Sequence, residues 1–531
     1  MKPFPGYAYM HNGVVALKKA CGSRGNNYPR RFRGYGTIKV IIQRCYNKMK
    51  QYATIILLAV AVLLAACSDD DSFSDSPSNT LTFSTDTVKL DTVFSRVPSS
   101  TRTFWVYNNS GDGIRCRSVR LKSGNQTGLR VNVDGIYLGA SQGYQTNEIE
   151  IRKKDSIRVF VELTAPSNHA QGPQLLEDDL VFTLESGVEQ SVNIRGYSWD
   201  ADIYGLLEIH GDTTISGGER PIVIQKGLRV DSGATLTVAE GTTLYFSQNA
   251  AVDVYGRLTT EGTAEKNVVF RGDRIDRMFD YLPYDRVPGQ WQGVRFHESS
   301  YGNNLDYTDL HSAYNGIVCD SSDVEKSKLK AYNTTIHNCQ GYGLLAVNSN
   351  VDLWNCQITN TLKDCAAFIG GRATIRYCTL AQFYPFDANR GAALYFTNTT
   401  GSGDCPLRQL DVRNSLITGY ADDVLMVDIS DKAPAEYLFD HCIIRTPEPD
   451  TANIKKFISV TFEDIKDTAA VTGEKHFRTI DADNQYYDFH LSQRSPAVGA
   501  AAPLGDPWDT TDREGLRRDD KPDIGCYEYK E

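Results

Sequence analysis

From about Leu81 to Asp202 the chain alternates apolar and polar residues. Ile157, Val159, Val161 and Leu163 hold every second position of one run, and Leu180, Phe182 and Leu184 do so in another. Phe104 with Val106, and Val192 with Ile194, continue the pattern. A strand with one buried face has this period of two, and the Gly, Asn, Asp and Ser between the runs mark turns. The pattern predicts a sandwich of antiparallel strands over 81–202, uninterrupted by an amphipathic helix.

Beyond it a six-residue apolar frame recurs: Leu305 to Leu310, Ala331 to Ile336, Leu353 to Ile358, Ile375 to Leu380, Val412 to Ile417 and Phe439 to Ile444. Thr334, Cys356 and Cys378, its fourth residue, follow one another at steps of 22, and the other steps are 26, 37 and 27. A fixed coil with loops of variable length inserted has such spacing. The first and last apolar positions are five apart, so on one straight strand they would face opposite sides. Asp306, Arg376, Arg413 and Asp440 follow the first position, which argues against burial on both sides. A corner between the two positions is therefore expected, with Asn333, Asn355 and Asn414 lining it and their amides meeting open backbone.

Between the corners lie further apolar segments: Gly316 to Val318, Leu344 to Val347, Ala366 to Ile369, Leu394 to Phe396 and Val424 to Val427. Two or three short strands per turn, a corner and a period near 22 describe a parallel β-helix. The stack is expected to begin near Pro221, where Gly227, Gly233 and Gly241 punctuate short apolar runs. The predicted fold class is all-β, a β-sandwich over 81–202 followed by a parallel β-helix and C-terminal cap over 203–531.

Residues Ala53 to Ala66 form a fourteen-residue apolar run preceded by Lys48 and Lys50. A membrane-spanning helix needs about 20 residues, so the run fits an export signal. It ends in Leu64-Ala65-Ala66-Cys67, which resembles the lipobox of bacterial lipoproteins and implies lipidation of Cys67 and attachment to the membrane through it. Ser68-Asp69-Asp70-Asp71 and the polar residues to Thr80 read as a flexible tether. An acidic run directly after the lipidated cysteine resembles the surface-export signal of outer-membrane lipoproteins, which implies the cell surface. Met49 is a natural start for the signal over 49–66, and residues 1–48 read as a doubtful upstream extension.

Phe83 to Val88 and Asp91 to Phe94 resemble the opening of an immunoglobulin-like domain that precedes β-helices in such lipoproteins. Tyr255 to Leu258, Glu261 to Thr263 and Gly289 to Val294 resemble the first coils of right-handed parallel β-helix proteins. Ser495 to Ala497, Asp512 to Gly515 and Pro522 to Tyr529 are similar to their terminal signature, with Cys526 where alanine is usual.

Charge and chemistry narrow the function. Eleven of the 56 basic residues precede Asp69, the first acid, leaving 45 against 66 acids after Ala66. Such an acidic surface repels phosphate backbones, so nucleic acid is not an expected partner. Twelve cysteines in an exported chain suggest disulfides. Cys356, Cys378 and Cys442 nevertheless occupy ladder positions, where stacked free thiols acting as small hydrophobes are the preferred reading. The absence of CxxC or HExxH spacing leaves no metal site in view, and no cofactor is implied. Asp422, Asp423 and Asp428 are the nearest approach to a catalytic carboxylate group, with His441 close by, and solvated turns are the preferred reading. His210, His297 and His337 are read as isolated structural residues. Trp291, Tyr332, Trp354 and Tyr377, with the ring-rich loop Met278 to Tyr284, are the candidates for stacking on sugars. The expected function is non-catalytic binding of a polysaccharide or surface protein. A polysaccharide lyase or glycoside hydrolase, and a purely structural envelope protein, are the alternatives.

Overall fold

The computed structural model describes Lys50 and residues 72–531, apart from 125–127, 402, 451–452 and 468. The chain divides into the units Met1–Asp71 and Ser72–Glu531, and all the described strands lie in the second. The export signal, Cys67 and the acidic start of the tether lie outside the described residues.

The alternating region forms two five-stranded sheets. One contains Arg102–Tyr107, Ser156–Leu163 and Leu129–Val133; the other contains Thr87–Phe94, Glu189–Trp199, Gln174–Leu184, Ile114–Leu121 and Gln145–Ile151. Inward residues of both, among them Phe104, Val159, Val161, Phe182, Val192 and Ile194, build one core. The pairing is antiparallel except between Thr87–Phe94 and Glu189–Trp199, which run parallel.

Parallel stacking begins at Asp202–Ile209, two strands before Pro221, because that strand pairs in parallel with Ile222–Val230, with one register shift between Tyr204 and Leu206. Among the described residues, ten strands form one parallel sheet and eighteen a second that supplies two strands to most coils. One coil runs through Leu329–Tyr332, Thr335–Cys339 and Leu344–Val347, and Asn350–Trp354 opens the next. The first apolar position of each repeat stacks as Leu305, Ala331, Leu353, Ile375, Val412 and Phe439. The last stacks as Leu310, Ile336, Ile358, Leu380, Ile417 and Ile444. Both columns, with the third-strand column Ile317, Leu344, Ala366, Leu394 and Leu425, form a continuous core.

The corner lies on the third residue of all six repeats. Tyr307, Asn333, Asn355, Tyr377, Asn414 and His441 have φ between 41° and 50°, the left-handed region that Asn tolerates best among residues with a side chain. The fourth residue turns inward and donates to the carbonyl two residues back. Thr334 Oγ1 meets Tyr332 O at 2.8 Å, Ser415 Oγ meets Arg413 O at 2.8 Å, and Cys356, Cys378 and Cys442 do the same at 3.3–3.4 Å. A second left-handed corner follows at Ser312, Asn338 and Asn360.

The C-terminal segment closes over the outside of these corners. Asn414 Nδ2 donates to Ala502 O at 2.7 Å and Asn355 Nδ2 to Thr511 O at 2.9 Å. Tyr527 donates its hydroxyl hydrogen to Gln357 Oε1 at 2.8 Å, and the Arg518 guanidinium lies 4.0 Å from the centre of the Tyr377 ring. The hairpin Phe477–Asp481 and Tyr486–Leu491 precedes this segment. At the other end, Phe94 packs against Trp199 and Tyr245, and Asp276 accepts the Ser100 N–H at 2.7 Å. The sandwich and the first coils thus share a small core of their own.

Candidate functional site

A cleft of about 710 Å³ lies between the second strands of the coils and the C-terminal segment. Its stack side presents Asp309, Thr335, His337, Gln357 and Thr359, with the corner amides Asn338 and Asn360. These are the outward residues of strands whose inward neighbours, Leu310, Ile336 and Ile358, lie in the core. Its other side presents Gln485, Tyr486, Asp488, His490, Arg513 and Glu514. Arg286 pins the hairpin in place by donating to Asn484 O at 3.3 Å and to Gln485 O.

At the floor of the cleft is a histidine–carboxylate cluster. Asp309 and His311 are two apart on the strand Thr308–His311 and therefore share its outward face. The register places His337 on the next coil beside His311, with ring centres 4.7 Å apart. His311 donates from Nδ1 to Asp309 Oδ1 at 2.8 Å and from Nε2 to Asp285 Oδ1 at 2.7 Å. His337 Nε2 reaches the same Asp309 oxygen at 3.3 Å, and Arg271 holds Asp285 at 2.8 Å. Burial works against charge on His311, but the two carboxylates outweigh it and raise the imidazole to about 9. Burial likewise opposes charge on Asp309 and Asp285, and here the histidines prevail, holding both well below the usual carboxylate range. At neutral pH His311 is thus a cation clamped between two anions and is unsuited to act as a general base.

Across the cleft His490 repeats the motif, with Nδ1 on Asp488 at 2.6 Å and Nε2 on Glu514 at 3.2 Å. Two residues of the cleft walls, Asn360 and Gln485, keep their side-chain oxygens Oδ1 and Oε1 buried and without a hydrogen-bond partner among the described residues. Buried acceptors are seldom left in that state.

The candidates read from the sequence are distributed differently. Trp291 is fully buried, stacked 4.5 Å from Phe246 with its Nε1 donating to His311 O at 2.9 Å. It cannot present a face to a sugar, because it fills the core at the entry to a coil strand. Tyr377 is equally buried, beneath Arg518. Tyr332 and Trp354 pair in register and line a smaller pocket of about 240 Å³ with Asp306, Asn333 and Asn355. In the ring-rich loop, Phe279 and Tyr281 are exposed and stacked 5.7 Å apart.

Asp422, Asp423 and Asp428 are exposed and stand outside the cleft. They have separate roles: Asp422 approaches Arg445 at 3.8 Å, Asp423 accepts the Leu425 N–H at 3.1 Å, and Asp428 ends the strand Leu425–Asp428. His441 occupies a corner and bonds to Asp440 at 2.7 Å. A buried Ser495–His476–Glu463 row resembles a hydrolytic triad in composition, with Oγ 2.8 Å from Nδ1 and Nε2 3.1 Å from the carboxylate. It is sealed from solvent, and the Ser495 oxygen also accepts the Ala497 N–H, so it serves the turn.

His311 and His337 escape recognition as a site in the sequence because they are 26 residues apart and match no ligand spacing. The available signal is the ladder: each directly follows the last apolar position of its repeat, Leu310 or Ile336.

The described architecture is that of an all-β protein with two packed sheets leading into a parallel β-helix. No family model matches the chain, and no curated protein matches it. Thirteen chains of solved structures do match. One is the CooA pilin subunit of enterotoxigenic Escherichia coli, 14% identical over 22% of this chain and 97% of that one, with a TM-score of 0.17. Another is a PapD-like domain of human CEP192, 12% identical over 24% and 91%, with a TM-score of 0.16. A third is a family 123 glycoside hydrolase from Clostridium perfringens, 8% identical over 23% and 26%, with a TM-score of 0.16. At these scores the similarities carry no argument about activity.

Proposed function

We propose that this chain is a surface-anchored lipoprotein that binds a glycan, without cleaving it, in the cleft between the β-helix and its C-terminal segment. The observation that carries the reading is a polar cleft with carboxylate, amide and guanidinium side chains on facing walls, Asp309 and Gln357 on one and Asp488, Arg513 and Glu514 on the other. These donors and acceptors suit the hydroxyls of a polyhydroxylated ligand. The exposed Phe279 and Tyr281 rings offer a second contact of the kind sugar faces take. Attachment through a lipid on Cys67 completes the proposal.

The test is incubation of the full chain with a panel of soluble polysaccharides, scored for glycan length and for protein co-migrating with sugar. The expected result is co-migration with at least one glycan of unchanged length. Glu514→Ala should weaken that binding by about threefold to tenfold, the loss of one hydrogen bond. Palmitate supplied to cells making the protein should label it, and Cys67→Ala should abolish the label. Shortened glycans would instead establish a lyase or hydrolase, a reading favoured by carboxylates on both cleft walls, Asp309 on one and Asp488 and Glu514 on the other.

A further inference from the structure

We propose that Asp309, His311 and His337 bind one divalent transition-metal ion of the zinc type at the floor of the cleft. Convergent donors, support behind them and open access together point there.

The donor atoms already converge. One carboxylate oxygen and two imidazole nitrogens lie within 4.8 Å of one another. A four-coordinate ion with bonds of about 2.0–2.2 Å holds its ligand atoms about 3.4 Å apart, so small side-chain adjustments suffice. The fold fixes these donors through regular features, since strand alternation aligns Asp309 with His311 and coil register brings His337 beside them.

Support stands behind the ligands. Asp285 accepts the Nε2–H of His311, and Arg271 in turn holds Asp285. A carboxylate on the far nitrogen of an imidazole is the device that fixes the ring of a metal-bound histidine and leaves its other nitrogen to the ion. Trp291 ties down the carbonyl of the same residue.

Access is open on the remaining side. Asp309 and His337 line the cleft, whereas the buried His311 does not. The remaining coordination positions thus face the open volume, where water or a ligand oxygen can enter. Imidazole donors select zinc, cobalt or nickel over calcium and magnesium, which take oxygen ligands.

Binding exchanges one proton for the ion. His311 gives up its Nδ1 proton to solvent and keeps Nε2–H on Asp285, while His337 carries its proton on Nδ1 and offers Nε2. Two neutral imidazoles and one carboxylate then face the ion. This site does not depend on what else the cleft holds.

The experiment uses the full chain, stripped with chelator and titrated with cobalt(II) in the absence of glycan. The expected result is saturable uptake of one ion, with visible bands of a four- or five-coordinate nitrogen–oxygen site and no sulfur charge-transfer band in the near ultraviolet. Asp309→Asn and His337→Gln should each weaken binding at least tenfold, and Asp285→Asn by about 10–100-fold. Zinc should also raise the melting temperature of the parent and leave that of His337→Gln unchanged. Absence of saturable uptake, a sulfur band from one of the cysteines, or equal binding by folded Asp309→Asn and His337→Gln would overturn the proposal. Should a variant fail to fold, the spectrum and stoichiometry of the parent decide between these outcomes. Failure to bind any polysaccharide leaves the result untouched.

Discussion

At the scale of single residues, the corners explain a puzzle in composition. The fourth position of the repeat holds Thr, Cys or Ser, which share little in hydrophobicity. They share a short side chain with a hydrogen to donate, and in every repeat that hydrogen goes to the carbonyl two residues back. The corner is legible in the sequence because its flanking apolar positions are an odd number apart. The donor role is not, since a buried thiol reads first as a small hydrophobe. Ser415 offers the sharpest test: it also accepts the Cys378 N–H at 3.1 Å and is fully buried. Ser415→Ala leaves the Cys378 N–H without that partner, while the Arg413 carbonyl keeps only the Tyr377 N–H, and should cost about 1–3 kcal/mol in urea unfolding. Ser415→Thr, which keeps the hydroxyl found in two sibling repeats, should recover most of that loss.

At the scale of the coil, register decides what meets what. The apolar ladders are readable by aligning six short segments, and the third-strand segments coincide with strands such as Leu344–Val347 and Ala366–Ile369. The cleft is less legible because its parts arrive from different layers of the chain. His311 and His337 come from neighbouring coils, Asp285 from a loop between coils, and Glu514 from the terminal segment about 200 residues downstream of His311. Only the histidine ladder has a periodic signal. Trp291 misleads for a related reason, since nothing in its local sequence tells that its ring turns onto Phe246. Close stacking also sets a limit on the coil. Gly293 has φ of 95°, and a Cβ there would stand 1.6 Å from the carbonyl oxygen of Asn315 on the next coil. Gly293→Ala should therefore cost about 3 kcal/mol or more, seen as a large fall in melting temperature.

At the scale of the whole molecule, one buried carboxylate joins the last coils to the segment that covers them. Glu463 accepts from Thr418 and Arg445 on the stack, and from His476 and the Gly473 N–H leading into the hairpin. Burial opposes its charge, but these partners prevail and hold its carboxyl below the ordinary value. A group with a depressed folded pKa stabilises the fold above its unfolded value, about 4.3 for glutamate, and loses that contribution as pH falls toward the folded one. The parent should therefore lose melting temperature on acidification from about pH 7 to below about pH 4. Glu463→Gln should melt lower at neutral pH and show a shallower decline across that range.

The thiols have a consequence for the order of events in the life of the chain. Burial pushes Cys319, Cys365, Cys442 and Cys526 up to about 12. At neutral pH only about one such thiol in 10⁵ is ionised, and the thiolate is the species that attacks a disulfide. Once the chain is folded, these four thiols are therefore chemically quiet toward oxidants and pairing enzymes. While unfolded, the same cysteines have ordinary reactivity and many wrong partners. Oxidation that overtakes folding would lock the repeats out of register, so this chain has to fold first and meet its oxidants afterwards.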